Sequence, residues 1–226
     1  AFNDTFIFDD SFQLTGTTGI DGNGGTANTV TGNAGIISNW AVTSANAGSY
    51  NPDAVGDTNF SNIHTITGAS IEDLLTGPTA GDIWTLDATG TGGVLTTGAI
   101  TFNVISDLVG GTGADTFKIY DSVAWAGNID GTAGTNILSY ETWAGSVTVP
   151  MSNLKSPGVT GTLSNVTTFK GGGGTDNTVT GAGGGVAWTV SASKEFNQST
   201  NAYFQEFDKL NAGASTNTLA GVVGGS

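Results

Sequence analysis

The chain of 226 residues has no cysteine, no arginine, a single histidine and four prolines, and only 11% of it is charged. Each shortage excludes something. Without cysteine there are no disulfides and no thiolate metal sites. Five lysines stand against 19 acids, for a net charge of −14. Nucleic acid is therefore excluded as a partner, because binding it rests on cationic side chains neutralising phosphates. The same sign argument excludes an anionic membrane surface. No run approaches the roughly 20 apolar residues of a spanning helix, so no membrane insertion is expected. Glycine without a three-residue period, and with so little proline, is not collagen.

What is abundant is glycine (37 residues) and threonine (36 residues), both poor helix formers. Hydrophobic residues make up 37% of the chain, with eleven Phe and five Trp, enough to bury a core and too many for a disordered tail. Short β-rich runs at 5–8, 40–43, 63–66, 83–86, 99–102, 147–149 and 188–190 are separated by Gly, Asn and Thr clusters. No helical period intervenes. The chain reads as all-β.

Self-similarity organises it further. Asn3-Asp4-Thr5-Phe6-Ile7-Phe8 returns as Ala114-Asp115-Thr116-Phe117-Lys118-Ile119, and Ile20-Asp21-Gly22 as Ile129-Asp130-Gly131. Phe60-Ser61-Asn62-Ile63 pairs with Leu163-Ser164-Asn165-Val166, and Ile83-Trp84-Thr85 with Ala187-Trp188-Thr189. Two units of roughly 105–110 residues follow, 1–113 and 114–226, the second continuous with the first. Ser215-Thr216-Asn217-Thr218-Leu219 opens the pattern a third time, as in a slice of a longer array or a protomer continuing into its neighbour. Gly-rich turns, short strands and the lack of a linker at Gly113 favour a β-solenoid over two tandem β-sandwich domains. At about 20 residues per rung, on the order of ten rungs are expected.

Gly110-Gly111-Thr112-Gly113-Ala114-Asp115-Thr116-Phe117-Lys118 matches the nonapeptide Gly-Gly-x-Gly-x-Asp-x-U-x, with U a large apolar residue. Gly171-Gly172-Gly173-Gly174-Thr175-Asp176 keeps its first six positions, and Gly131-Thr132-Ala133-Gly134-Thr135-Asn136 is a looser version. On these residues the chain resembles the RTX repeat proteins and the large bacterial adhesins and surface fibres built from relaxed forms of that repeat. The resemblance implies an extracellular or cell-surface location, and it makes Asp115 and Asp176 the candidate metal ligands. Calcium is the one cofactor it admits, and none is required. RTX calcium lies between consecutive nonapeptides, whereas these matches stand about 20 to 40 residues apart, so Asp115 reads first as a turn cap.

Nothing here composes a catalytic centre, and no enzyme is expected. His64 lies between isoleucines and is replaced by Thr167 in the second unit. Glu72-Asp73 is a carboxylate pair that a glycosidase needs to hold at a set separation, which sequence does not supply. Trp84 and Trp188 occupy equivalent core positions, while Trp125 and Trp143 have no counterpart and are the two open to a surface role. The reading that follows is an extracellular structural protein whose partner is itself. Phe2, Phe6 and Phe8 at one end, and Leu219, Val222 and Val223 at the other, are the expected head-to-tail contacts. The alternative is a stalk or ligand-binding segment of a calcium-stabilised adhesin that meets a glycan or cell surface.

Overall fold

The computed structural model describes residues 2–9, 19–52, 56–70, 72–121, 123–152, 156–183, 185–198, 202–213 and 216–221. Val222 and Val223 lie outside the described residues. Every regular element among those described is a strand, and no helix there is long and apolar enough to cross a membrane.

The largest sheet has 13 strands. In spatial order it begins with β1 (Thr5–Ile7), β3 (Thr29–Thr31), β7 (Thr65–Thr67), β11 (Ile100–Asn103), β10 (Gly93–Leu95) and β9 (Ile83–Leu86). It continues through β13 (Thr116–Ile119), β15 (Ile137–Ser139), β18 (Thr168–Lys170), β22 (Ala202–Gln205), β21 (Glu195–Gln198), β20 (Ala187–Ala192) and β24 (Thr218–Gly221). An eight-stranded sheet runs β17 (Leu163–Ser164), β14 (Ile129–Asp130), β12 (Asp107–Val109), β8 (Leu74–Thr76), β4 (Ser38–Ser44), β5 (Ala47–Pro52), β6 (Thr58–Ser61) and β2 (Ile20–Asp21). A third sheet holds β16 (Thr148–Pro150), β19 (Thr178–Thr180) and β23 (Lys209–Asn211), all parallel. The chain passes from the large sheet to one of the other two and back, and strands from successive passes pair in parallel. That is a β-solenoid, and parallel stacking of this kind excludes the sandwich alternative, whose sheets are antiparallel.

Strand sequences explain their shortness. In Thr29-Val30-Thr31, Thr65-Ile66-Thr67 and Thr178-Val179-Thr180 the central residue is buried and the threonines face outward. One inward residue per pass suffices, because burial comes from the rungs on either side. Inward files of Phe117, Leu138, Phe169 and Phe204 result, with Phe169 and Phe204 stacked at 5.3 Å between ring centroids. Trp84 stacks on Phe117 at 5.5 Å. At about 4.8 Å per strand, the 13-stranded ladder is roughly 55–60 Å tall.

The rungs are less even than a 20-residue beat. Corner residues on adjacent rungs are separated by 21, 24, 30, 33 or 35 positions. Three antiparallel meanders, β4–β6, β9–β11 and β20–β22, account for much of this. Each runs backwards along the ladder: β11 pairs with the earlier β7, and β9 with the later β13. Antiparallel neighbours need only a tight turn, so a contiguous segment fills three places that would otherwise need three full coils.

Candidate functional site

The corners of the solenoid concentrate its buried polar groups. Each follows a glycine by about five residues and places an Asn or Asp just before the next strand. The side-chain Oδ1 accepts the N–H of the residue that begins the neighbouring rung. Asn28 takes it from Asp4 at 2.8 Å, Asp73 from Ser38 at 2.7 Å, Asp115 from Asp82 at 2.8 Å, Asn136 from Asp115 at 2.9 Å and Asn177 from Val147 at 2.9 Å. Where the corner is Asn, Nδ2 donates twice more. Asn28 reaches Gly22 O and Asn62 O, both at 2.8 Å, and Asn136 reaches Gly131 O at 2.7 Å and Asn165 O at 2.9 Å. Asn62 and Asn165 both have φ near +53°, a left-handed turn that asparagine tolerates and that aims their carbonyls inward. These amides satisfy backbone groups that burial would otherwise leave without water.

This arrangement gives the glycines of the Gly-Gly-x-Gly-x-Asp motif a packing role. A Cβ on Gly111 would sit 1.7 Å from Pro78 O, and one on Gly113 2.2 Å from Ala80 O, so adjacent corners stack backbone to backbone. A Cβ on Gly110 would meet Asp115 Oδ2 at 2.5 Å. Asp115 is fully buried, and Trp84 Nε1 donates to its Oδ1 at 3.2 Å. Its carboxyl thus joins its own corner to the rung that carries Asp82 and Trp84.

Asp176 does not share that position. The Gly171 corner holds one more residue, and Asn177, not Asp176, takes the buried place, with Nδ2 on Gly172 O at 2.9 Å and Glu206 O at 3.2 Å. Asp176 is exposed and pairs with Lys209 Nζ at 2.6 Å. The alignment of Asp176 with Asp115 is therefore corrected by one residue, which also restores an apolar Val179 to the site of Phe117. Among the described residues no three His, Asp or Glu side chains converge as a metal site. Chelation with EGTA is expected to leave the melting temperature unchanged within about a degree. An ion held at 100 times its dissociation constant adds about 2.7 kcal/mol, so a loss of several degrees would restore calcium to Asp115.

The other residues singled out by sequence fall as follows. Trp40, Trp84, Trp125 and Trp188 are all buried, so Trp125 has no surface role, and Trp143 is half-buried against the core. Trp125 packs edge-on to Phe102 at 6.4 Å, a contact between segments distant in sequence. His64 Nδ1 accepts the Asn28 N–H at 3.3 Å, so its ring serves a corner. Asp73 is buried under the N–H groups of Ser38, Ala69 and Ser70 and is turned away from any shared work with exposed Glu72. Lys118, Lys170, Lys194 and Lys209 are all in ion pairs. Glu141 bridges Lys118 and Lys170, which hold its carboxyl below the usual range.

At the ends of the large sheet, Phe2 is 91% exposed, Ile7 70% and Leu219 63%. Phe6 is half-buried, and Phe8 is buried in its own chain, stacked on Tyr50 at 4.2 Å. Phe8 thus belongs to the internal core and has little surface left to offer a neighbour. Sequence reading passed over Ile7, which alternation with Phe6 and Phe8 places on the opposite face. It also gave no corner role to Asn28 and Asn177, whose signal is an Asn-Thr-Val triplet six residues after a glycine.

Fold and corners together define the class: a β-solenoid with side-chain amide and carboxyl corners. No family model, characterised protein or solved structure matches this chain.

Proposed function

We propose that the chain is a structural segment of an extracellular bacterial fibre, sheath or layer, built by head-to-tail stacking of copies along the solenoid axis. The observation that carries this reading is the state of the two ladder ends. β1 pairs only with β3 and β24 only with β20 among the described residues, and both strands expose apolar side chains, Ile7 and Leu219. Soluble sheets ordinarily blunt such edges with charge, proline or a cover. Contacts between unlike ends that do not close a ring propagate as filaments. The acidic surface keeps the sides of such filaments apart, since net charge of one sign opposes lateral association.

Negative-stain microscopy tests it. The chain at high concentration is expected to form unbranched filaments, and Ile7→Lys with Leu219→Lys to prevent them without lowering the melting temperature by more than about 1–2 °C. A wild-type chain that stays monomeric, or a doubly substituted chain that still polymerises, removes the proposal.

A second reading, a glycan-facing stalk segment, has one observation in its favour. An open groove of about 410 Å³ sets the carboxylates of Glu72 and Asp107 and the amide of Asn128 beside apolar Val104, Ile105 and Ala126, polar groups among apolar ones as sugar-binding surfaces need.

A further inference from the structure

The inward file of the large sheet is open at both of its ends. Residues paired in register point to the same face, and Phe6 pairs with Val30, Val30 with Ile66 and Trp188 with Leu219. Val30, Ile66 and Trp188 are buried, whereas Phe6 is half-buried and Leu219 is 63% exposed. At the Phe6 end an open groove of about 370 Å³ is lined by the apolar Phe6, Ile7, Phe8 and Ile20 and by Asp9 and Asp21. Its walls come from β1 and β2, which stand at the edges of their sheets. The corner hydrogen bonds follow one rule along this file. The residue before β1, β9, β13 or β20 donates its N–H to the corner side chain of the next rung, and its C=O accepts the first N–H of the strand there. Asp4 so meets Asn28 and Thr29, Asp82 meets Asp115 and Thr116, Asp115 meets Asn136 and Ile137, and Val186 meets Asn217 and Thr218. Asp4-Thr5-Phe6 repeats Asp115-Thr116-Phe117, the segment that receives the rung of Asp82 and Trp84. Asn217 and Leu219 have the spacing of Asp82 and Trp84.

We propose that Leu219 of one copy fills the groove between Phe6 and Ile20 of the next, with β24 laid parallel on β1 in the register Thr218 to Thr5, Leu219 to Phe6 and Ala220 to Ile7. The joint rests on the head-to-tail reading above and specifies it. Leu219 then continues the file over Phe6 as Trp84 does over Phe117, and Asp4 stands to Asn217 as Asp115 does to Asp82. A slip of one residue would turn Leu219 to the outward face and away from the groove. Charge opposes the wrong polarity. Residues 1–113 carry eleven acids and no lysine, whereas 114–226 carry eight acids and all five lysines. Two Phe6 ends therefore repel each other more strongly than a Phe6 end repels a Leu219 end, and two Leu219 ends bring no groove to either leucine.

Cysteine cross-linking of the full chain tests the register, since the chain has no cysteine of its own. Paired residues on parallel neighbours stand about 4.8 Å apart, within disulfide reach, and a shift of two residues takes them to about 8 Å, beyond it. Thr5→Cys with Thr218→Cys is expected to give a ladder of disulfide-linked oligomers under mild oxidation, and Thr5→Cys with Ala220→Cys is expected to give none. Leu219→Ala is expected to raise the concentration at which filaments appear by about tenfold, the loss of about two buried CH2 groups. Val94→Ala, at an exposed site within the ladder, is expected to leave that concentration unchanged. Filaments that link only through the shifted pair overturn the register and leave head-to-tail stacking standing. Filaments that link through neither pair, or a Leu219→Ala chain that assembles as readily as wild type, overturn the joint. A wild-type chain that never assembles removes both readings.

Discussion

Asn136→Ala is expected to destabilise the chain by about 3–5 kcal/mol. Asn136 is fully buried; its Oδ1 accepts the Asp115 N–H, and the two N–H groups of Nδ2 are shared among the carbonyls of Gly131, Ala133 and Asn165. Alanine leaves those groups buried without partners, at about 1–3 kcal/mol for each that stays unsatisfied. The carbonyls retain a second lone pair and partial relaxation, which is why the sum stays below the arithmetic maximum. For a chain of this size each kcal/mol moves the melting temperature by about 2–4 °C, so a fall of roughly 6–20 °C is expected. Asn128 supplies the control. It is exposed and bonds to Asp107 and Thr162 across the same kind of step, so Asn128→Ala is expected to cost about 1 kcal/mol. Equal losses at the two positions would mean that the buried corners do not hold the rungs together.

Gly111→Ala carries the other large effect. The added Cβ would lie 1.7 Å from Pro78 O and 3.0 Å from Thr79 Cα, and backbone atoms cannot swing aside as a side chain does. The corners of two rungs must separate, breaking packing on both sides of Asp115. A loss of about 3 kcal/mol or more is expected, at the upper end for overpacked sites. Gly183→Ala, where a Cβ meets nothing within 4 Å, is expected to stay within about 0.5 kcal/mol. The two explanations of the Gly-Gly-x-Gly motif part here. If close stacking is the reason for the glycine, the loss appears in EGTA and is not repaired by calcium. A Gly111→Ala protein that melts normally in EGTA, and loses only a calcium response, would show that the glycine serves an ion.

The strand chemistry was local and therefore legible. Short Thr- and Val-rich runs bounded by glycine admit one inward residue and two outward ones, so all-β structure follows from residue types, while the Gly-rich turns and the missing linker favoured stacked rungs over two sandwiches. Matching segments such as Ile83-Trp84 and Ala187-Trp188 also told core from surface, because a position filled by Trp twice among apolar neighbours has only one comfortable environment. The nonapeptide resemblance misled by a single residue at Asp176. Sequence counts positions from the glycines, whereas the fold counts from the buried amide, and the Gly171 corner has one residue more.

Other features depended on contacts between segments far apart in the chain. Trp125 is buried because the β9–β11 meander brings Phe102 beside it, and the reversed order of that meander is a matter of which strand edges meet, not of any local preference. Whether Phe8 faces a neighbour or its own core was decided by Tyr50, some forty residues on. Asp115 is the clearest case. Sequence set a cation against a turn at this position and favoured the turn from the spacing of the nonapeptides, with nothing to say which groups would face the carboxyl. The neighbouring rungs bury it, set the Asp82 N–H and Trp84 Nε1 on its Oδ1 and take its own N–H on Asn136, because desolvation and hydrogen-bond geometry belong to neighbouring rungs rather than to the residue itself.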